Sequence, residues 1–148
     1  MYKVRLSDPM ERYRDSEKKL NILIVDDDEN SRESLRYILS SKGHNITTLD
    51  EGMKCVSRCS NIKFDLIFMD YHINDLDGTI TGTDITKMVK ECFEIDTPIY
   101  AYTGDNSRDA INDFKRNNMK GAFIKPVNPS LIYNFLQINE EEENNNIY

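Results

Sequence analysis

Five short apolar runs punctuate the chain, and each is followed by a segment whose apolar residues recur at helical spacing. The runs are "ILIV" at 22–25, "HNITTL" at 44–49, "DLIFM" at 65–69, "PIYAY" at 98–102 and "GAFI" at 121–124. Most of them are continuously apolar rather than alternating, which is the pattern of strands covered on both faces. Strand and helix in strict alternation, joined by right-handed crossovers, give a doubly wound α/β fold: a five-stranded parallel sheet with helices on both sides. A chain of 148 residues holds one such domain.

The helical segments carry their own start and stop signals. "NSRESLRYILSSKG" puts Leu35, Ile38 and Leu39 on one face, with Gly43 as the stop. "DEGMKCVSRCS" reads as a helix capped by Asp50. "TDITKMVKECF" places Ile85, Met88, Val89 and Cys92 inward, and "SRDAINDFKRN" is capped by Ser107 with Ile111 and Phe114 inward. "NPSLIYNFLQI" has Asn128 as cap and Pro129 at the first helical position. Residues 1–20 are a charged N-terminal extension, either a lead-in or a short helix with Asp8 as cap; residues 139–148 are an acidic, low-complexity tail, read as disordered. The folded domain is then 21–138.

The polar residues at the strand ends point to chemistry. "ILIV" ends in Asp26 and Asp27, "DLIFM" in Asp70, "PIYAY" in Thr103 and "GAFI" in Lys125. In an open parallel sheet the carboxyl ends of the strands share one rim, and ligands bind there. Three carboxylates, a hydroxyl and an ammonium therefore converge from four separate stretches. Close carboxylates repel and raise one another's pKa. A divalent cation relieves this, and hard oxygen ligands with room for water suit Mg²⁺. A metal, an ammonium and a hydroxyl around one carboxylate suit an incoming phosphoryl group, with Asp70 on the central strand as nucleophile.

"ILIVDDDENSR", "FDLIFMD", "PIYAYTGD" and "FIKPVNP" resemble the response-regulator receiver domain of two-component and phosphorelay signalling. The resemblance covers residues 21–138, and the separations Asp27 to Asp70 and Thr103 to Lys125 suit that family. It implies a flavodoxin-like strand order 2-1-3-4-5. Asp70 would be the phospho-acceptor, served by a histidine kinase or a histidine phosphotransfer protein. Asp26, Asp27, Asp70 and the backbone carbonyl of His72 would hold Mg²⁺. Thr103 would bond the phosphoryl group, Lys125 would pair with it, and the Lys125–Pro126 bond is often cis in such proteins. The chain would be a stand-alone regulator or the receiver part of a hybrid kinase. It would signal through its phosphorylation state rather than turn over a free substrate.

Several positions depart from the family pattern. Asn74 stands where proline is usual, and the segment between Asp70 and Thr103 is longer than usual. Gly82, leading into "GTDITKMVK", is taken as the glycine that starts the helix, leaving residues 75–81 as extra loop. The aromatic that couples to the threonine in the family is replaced by Ala122, with Phe123 its neighbour; either Phe123 substitutes for it or the aromatic switch is absent. The resemblance implies that the side chains of His72 and Asp105, two past Asp70 and Thr103, influence the access of water to an aspartyl phosphate.

The loop sequence "DLDGTI" also matches two other patterns. It fits a haloacid-dehalogenase phosphatase signature, but there the acidic pair comes last, whereas here it comes first. As a calcium loop with Gly78 at its sixth position it lacks the first ligand, at Ile73, and has only Asp84 at the twelfth. A third alternative is a degenerate receiver that binds partners regardless of phosphate, against which the intact set of five side chains speaks.

The formal charge of −7 makes the chain a poor candidate for non-specific nucleic-acid binding, since the phosphate backbone would repel an acidic surface. No apolar stretch approaches membrane-spanning length. Cys55, Cys59 and Cys92 have no metal-site spacing and read as apolar filling in a reducing, cytoplasmic setting.

Overall fold

A computed structural model describes residues 19–73 and 80–138. The N-terminal extension up to residue 18, residues 74–79 and the acidic tail lie outside the described residues, as do Asp75, Asp77 and Gly78 of the "DLDGTI" loop. Five strands, β1 (Asn21–Val25), β2 (Asn45–Leu49), β3 (Leu66–Met69), β4 (Ile99–Thr103) and β5 (Gly121–Ile124), form one parallel sheet in the order β2-β1-β3-β4-β5. Five helices accompany them among the described residues: α1 (Glu29–Ser40), α2 (Gly52–Cys59), α3 (Gly82–Phe93), α4 (Arg108–Arg116) and α5 (Pro129–Ile138).

Strand alternation divides the core into two layers. Leu23, Val25, Ile67, Met69, Ala101 and Ala122 face one way, against Cys55, Ile85, Val89 and Phe114 of α2, α3 and α4. Ile22, Ile24, Phe68, Tyr102 and Phe123 face the other, against Leu35, Ile38 and Leu39 of α1 and Ile132 of α5. The central strands are buried on both faces, as their unbroken apolar sequences require.

The helix starts are set by their caps. Asp28 accepts from Ser31 N at 2.9 Å, Ser107 from Ala110 N at 3.2 Å, and Thr81 and Asp84 form a reciprocal capping box. Asn128 accepts from Ser130 N just ahead of Pro129. Two expectations are corrected. The N-cap of α2 is Glu51, without a side-chain cap bond, because the Asp50 carboxylate is engaged 2.9 Å from Lys54 Nζ. Cys92 is exposed rather than inward. The helical period carries the buried stripe from Val89 to Phe93, which packs on the core in its place.

His44, ahead of β2, accepts a hydrogen bond from Leu20 N at 3.1 Å through Nδ1 and so ties down the start of β1. Burial lowers its pKa below the ordinary 6.5. As pH falls through the ordinary value the unfolded chain takes up a proton that the native state resists, so this contribution to stability is lost toward acid. Thermal melts between pH 7.5 and 5.5 are expected to show a smaller acid-side loss for His44→Gln than for the unaltered chain. Parallel curves would remove His44 as the cause.

Candidate functional site

Strand register builds the site. Val25 of β1 is paired with Met69 of β3, so Asp26 and Asp70 leave adjacent strands at the same level. Thr103 of β4 is paired with Ile124 of β5, so Lys125 comes directly beside it. The structure thus brings Asp26, Asp27, Asp70, Thr103 and Lys125 to one rim, as the sequence predicts. Asp26, Asp70 and Thr103 are buried, and Asp27 is exposed.

Oxygen atoms from Asp26, Asp27 and Asp70 all lie within 4.8 Å of one another. Lys125 Nζ sits 2.9 Å from Asp26 Oδ2 and 3.7 Å from Asp70 Oδ2. The sequence pairs Lys125 with Asp70; in the structure the closer partner is the fully buried Asp26, whose charge has the greater need of compensation. That contact is an ion pair without hydrogen-bonding geometry, and Asp26 Oδ2 remains a buried oxygen with no hydrogen-bond donor. Asp26 Oδ1, by contrast, accepts from Asp28 N at 2.9 Å. A donor-poor buried oxygen grouped with two other carboxylates fits a small, hard divalent cation.

Burial first, and the Asp26 carboxylate second, push the Asp70 pKa up to about 7 against the pull of Lys125. Asp70 Oδ1 accepts from the His72 amide at 3.3 Å. The Thr103 hydroxyl oxygen accepts from Asp105 N at 3.1 Å, which leaves its proton available to a ligand oxygen.

Three features that hold the site together go beyond the motif residues. Gly82, the first residue of α3, abuts the Asp70 backbone: a Cβ there would run into the Asp70 carbonyl oxygen, and the Gly82 amide donates to Tyr71 O at 2.8 Å. Tyr102 lies under Lys125, with Nζ 4.8 Å from the ring centroid, and its hydroxyl donates to Ser31 O. Burial, with Asp26 and Asp70 nearby, pushes Tyr102 up to about 12. The alternation of "YAYT" marks Tyr102 as facing away from Thr103, but no pattern in the sequence shows its contact with Lys125. His72 Nε2 and Asp105 Oδ2 meet at 2.9 Å. This contact, then the Ser107 hydrogen bonds, bring Asp105 down to about 2.

The aromatic question resolves by strand parity. Ala122 shares the face of Ala101, while Phe123 points to the opposite layer, with its ring centroid 5.5 Å from that of Phe68 and 5.1 Å from that of Phe135. Phe123 therefore does not stand in for the missing aromatic beside Thr103. The Lys125–Pro126 bond is cis, as the resemblance implies.

An acidic rim with one lysine, on a parallel sheet ordered 2-1-3-4-5, defines a CheY-like receiver. The chain belongs to the response regulator receiver domain family, whose model matches residues 22–137. It is 29% identical over 118 residues to the transcription factor SKN7 of Candida albicans, covering 80% of this chain and 20% of that protein. It is 26% identical over 108 residues to the sensor histidine kinase AruS of Pseudomonas aeruginosa, covering 73% and 11%. The chain thus spans a fifth or less of the length of these two relatives. The solved structure of Vibrio cholerae chemotaxis protein CheY4 superposes with a TM-score of 0.72 at 25% identity, covering 81% of this chain and 98% of that one. Among the described residues, no helix is long and apolar enough to cross a membrane.

Proposed function

We propose that Asp70 accepts a phosphoryl group from a phosphohistidine and that the chain signals through its phosphorylation state. The donor is a histidine kinase or a histidine phosphotransfer protein, a reading supported by the similarity to part of a sensor histidine kinase. The observation that carries the reading is Lys125 Nζ at 3.7 Å from the Asp70 carboxylate, which is itself grouped with Asp26 and Asp27, with Thr103 at the end of the neighbouring strand. Asp26, Asp27, Asp70 and the His72 backbone carbonyl are the residues that would hold Mg²⁺. When bound, the ion supplies neutralisation of the acidic cluster and of phosphoryl oxygens.

The chain's own groups do the rest. An Asp70 oxygen forms the new bond to phosphorus as the donor's N–P bond breaks, and the imidazole leaves neutral after taking up a proton. Lys125, moving from Asp26 toward the phosphoryl group, offsets its charge, and the Thr103 hydroxyl donates to one of its oxygens. Tyr102 limits where Lys125 travels. The free cysteines Cys55, Cys59 and Cys92 suit the cytoplasmic location that this role entails.

The test is incubation with acetyl phosphate or a phosphohistidine donor in Mg²⁺, read by mass spectrometry of the intact chain and its peptides. One phosphate on Asp70 is expected, with none in Asp70→Asn and initial rates lowered roughly 10²-fold in Thr103→Ala and Lys125→Ala. A phosphate mapped to another residue, or full labelling of Asp70→Asn, would sink the assignment. No labelling from any donor, with partner binding retained, would mark a phosphate-independent binding module instead.

A further inference from the structure

We propose that Cys55 and Cys59 of α2 form a thiol–disulfide exchange site, in which a low-molecular-weight disulfide of the glutathione class reaches Cys59 through the adjoining cavity and oxidises the pair to an intramolecular disulfide. Two cysteines one turn apart in a core serve as small apolar groups if nothing else distinguishes them. Here three observations do. Their sulfurs lie 4.0 Å apart in a mutual S–H···S contact. Cys59 is the last residue of α2, where the chain leaves the helix through turns in which Ser60 N reaches Ser57 O at 3.3 Å and the Asn61 and Ile62 amides share Arg58 O at 3.1 Å. Cys59 also lines a cavity of about 350 Å³, together with Phe64, Ile67, Glu94 and Thr97. This cavity lies at the amino ends of β3 and β4, the edge of the sheet opposite Asp70, so the proposal stands apart from the phosphoryl chemistry.

The environments of the two thiols divide the roles. Both thiols are buried, Cys55 at 0% exposure and Cys59 at 9%, and Cys59 is the one that borders the cavity. The hydrogen bond from Cys55 lowers the Cys59 pKa, and that same contact, then burial, raises Cys55. Cys59 is therefore the attacking thiolate and Cys55 the resolving thiol. The Cys59 sulfur bonds to one sulfur of the reagent, the reagent's S–S bond breaks, and the departing thiolate takes the proton Cys59 gave up. The Cys55 sulfur then attacks Cys59, and the second reagent thiolate leaves with the Cys55 proton. Two protein thiols are oxidised and one disulfide is reduced to two thiols. A disulfide needs Cβ atoms about 3.5–4.5 Å apart, whereas helix neighbours one turn apart sit about 5–6 Å apart. Closure therefore opens the last turn of α2, which the terminal position of Cys59 permits.

The experiment uses the full chain carrying Cys92→Ser, which removes the exposed thiol. It is treated with oxidised glutathione, alkylated and digested with trypsin. Arg58 lies between the two cysteines, so cleavage leaves peptides 55–58 and 59–63 held together only by the disulfide. The expected product is that linked pair, two hydrogens lighter, undone by dithiothreitol. Adding Cys55→Ser is expected to halt the reaction at a glutathione adduct on Cys59, and adding Cys59→Ser to leave Cys55 unmodified. Circular dichroism checks that each variant folds; if one does not, the Cys92→Ser chain alone decides. The proposal is overturned if both thiols stay reduced under conditions that fully modify Cys92 in the unaltered chain. It is equally overturned by a lasting Cys59 adduct without ring closure, or by an adduct on Cys55.

Discussion

Gly82→Ala is expected to destabilise the protein by about 2–4 kcal/mol and, with it, to spoil the acidic site. No positive φ is at issue at this position; the cause is packing. A Cβ at residue 82 meets the Asp70 carbonyl oxygen directly, and it also comes within 2.9 Å of the Asp70 carbonyl carbon and 3.0 Å of Met69 Cγ. Two of these three neighbours are backbone atoms at the end of a central strand, where no rotamer change gives relief. The helix must move instead. The amide of Gly82 is bonded to Tyr71 O, and Thr81 and Asp84 lock the first turn, so α3 moves as a unit or loses its cap. Its displacement also disturbs the close packing of Gly52 on Ile85. At roughly 2–4 °C per kcal/mol for a chain of this size, the midpoint should fall by about 4–16 °C. The initial rate of phosphate labelling should fall as well, because the displaced helix is tied through the Gly82 amide to Tyr71, the neighbour of Asp70. Gly104→Ala is the control. It sits beside Thr103, but its added Cβ meets nothing within 4 Å, so its melting curve should overlay that of the unaltered chain. Calorimetry of the two variants decides the matter. A Gly82→Ala protein as stable as Gly104→Ala would show that α3 does not depend on this close approach.

The role of Gly82 illustrates what sequence can and cannot deliver. The stretch "GTDITKMVK" marks a helix start, and α3 begins there. The contact with Asp70 depends on how a crossover returns to the sheet, which no local pattern encodes. Four of the strands and the caps Ser107 and Asn128 were legible because each rests on a local rule: an unbroken apolar run, or a Ser or Asn one residue before a helix. The rim residues were legible because parallel strands end on one side. Which carboxylate Lys125 prefers was not legible. A lysine just past the edge strand reaches two of the acids, and relative burial, a property of the whole fold, makes Asp26 the closer one. Asp50 is the better cap by type, but its carboxylate is engaged by Lys54, and the helix begins one residue later after Glu51, which makes no cap bond. The position of Phe123 was available from parity alone, since neighbours on a strand point to opposite faces.

Asp70→Asn should make the metal-free protein more stable at alkaline pH, although it abolishes the proposed function. The Asp70 pKa is raised in the folded state to about 7 from an ordinary 3.8, chiefly by burial and then by Asp26. Between those two values the native state keeps a proton that the unfolded chain has released. Stability from this group is therefore greatest in acid and is lost as pH rises through the window toward about 7. Above it, native Asp70 is a charge held beside Asp26 with a single shared lysine. An amide of the same shape removes that charge and leaves Lys125 wholly to Asp26. The gain at pH 8 in chelator is on the order of 3 kcal/mol, or roughly 6–12 °C in midpoint. It should have shrunk to a small remainder near pH 4, where native Asp70 keeps its proton and the unfolded carboxyl, at its ordinary 3.8, is only partly ionised. Comparing the two proteins at each pH cancels the opposite, acid-side loss from His44, which both share. Added Mg²⁺ should raise the midpoint of the unaltered chain much more than that of Asp70→Asn, because only the former offers three carboxylates. Thermal melts across pH 4–8, with chelator and with Mg²⁺, provide the measurement. If Asp70→Asn is no more stable than the unaltered chain at pH 8 in chelator, then Lys125 already compensates both carboxylates, and the acidic rim is not a strained cluster awaiting a cation.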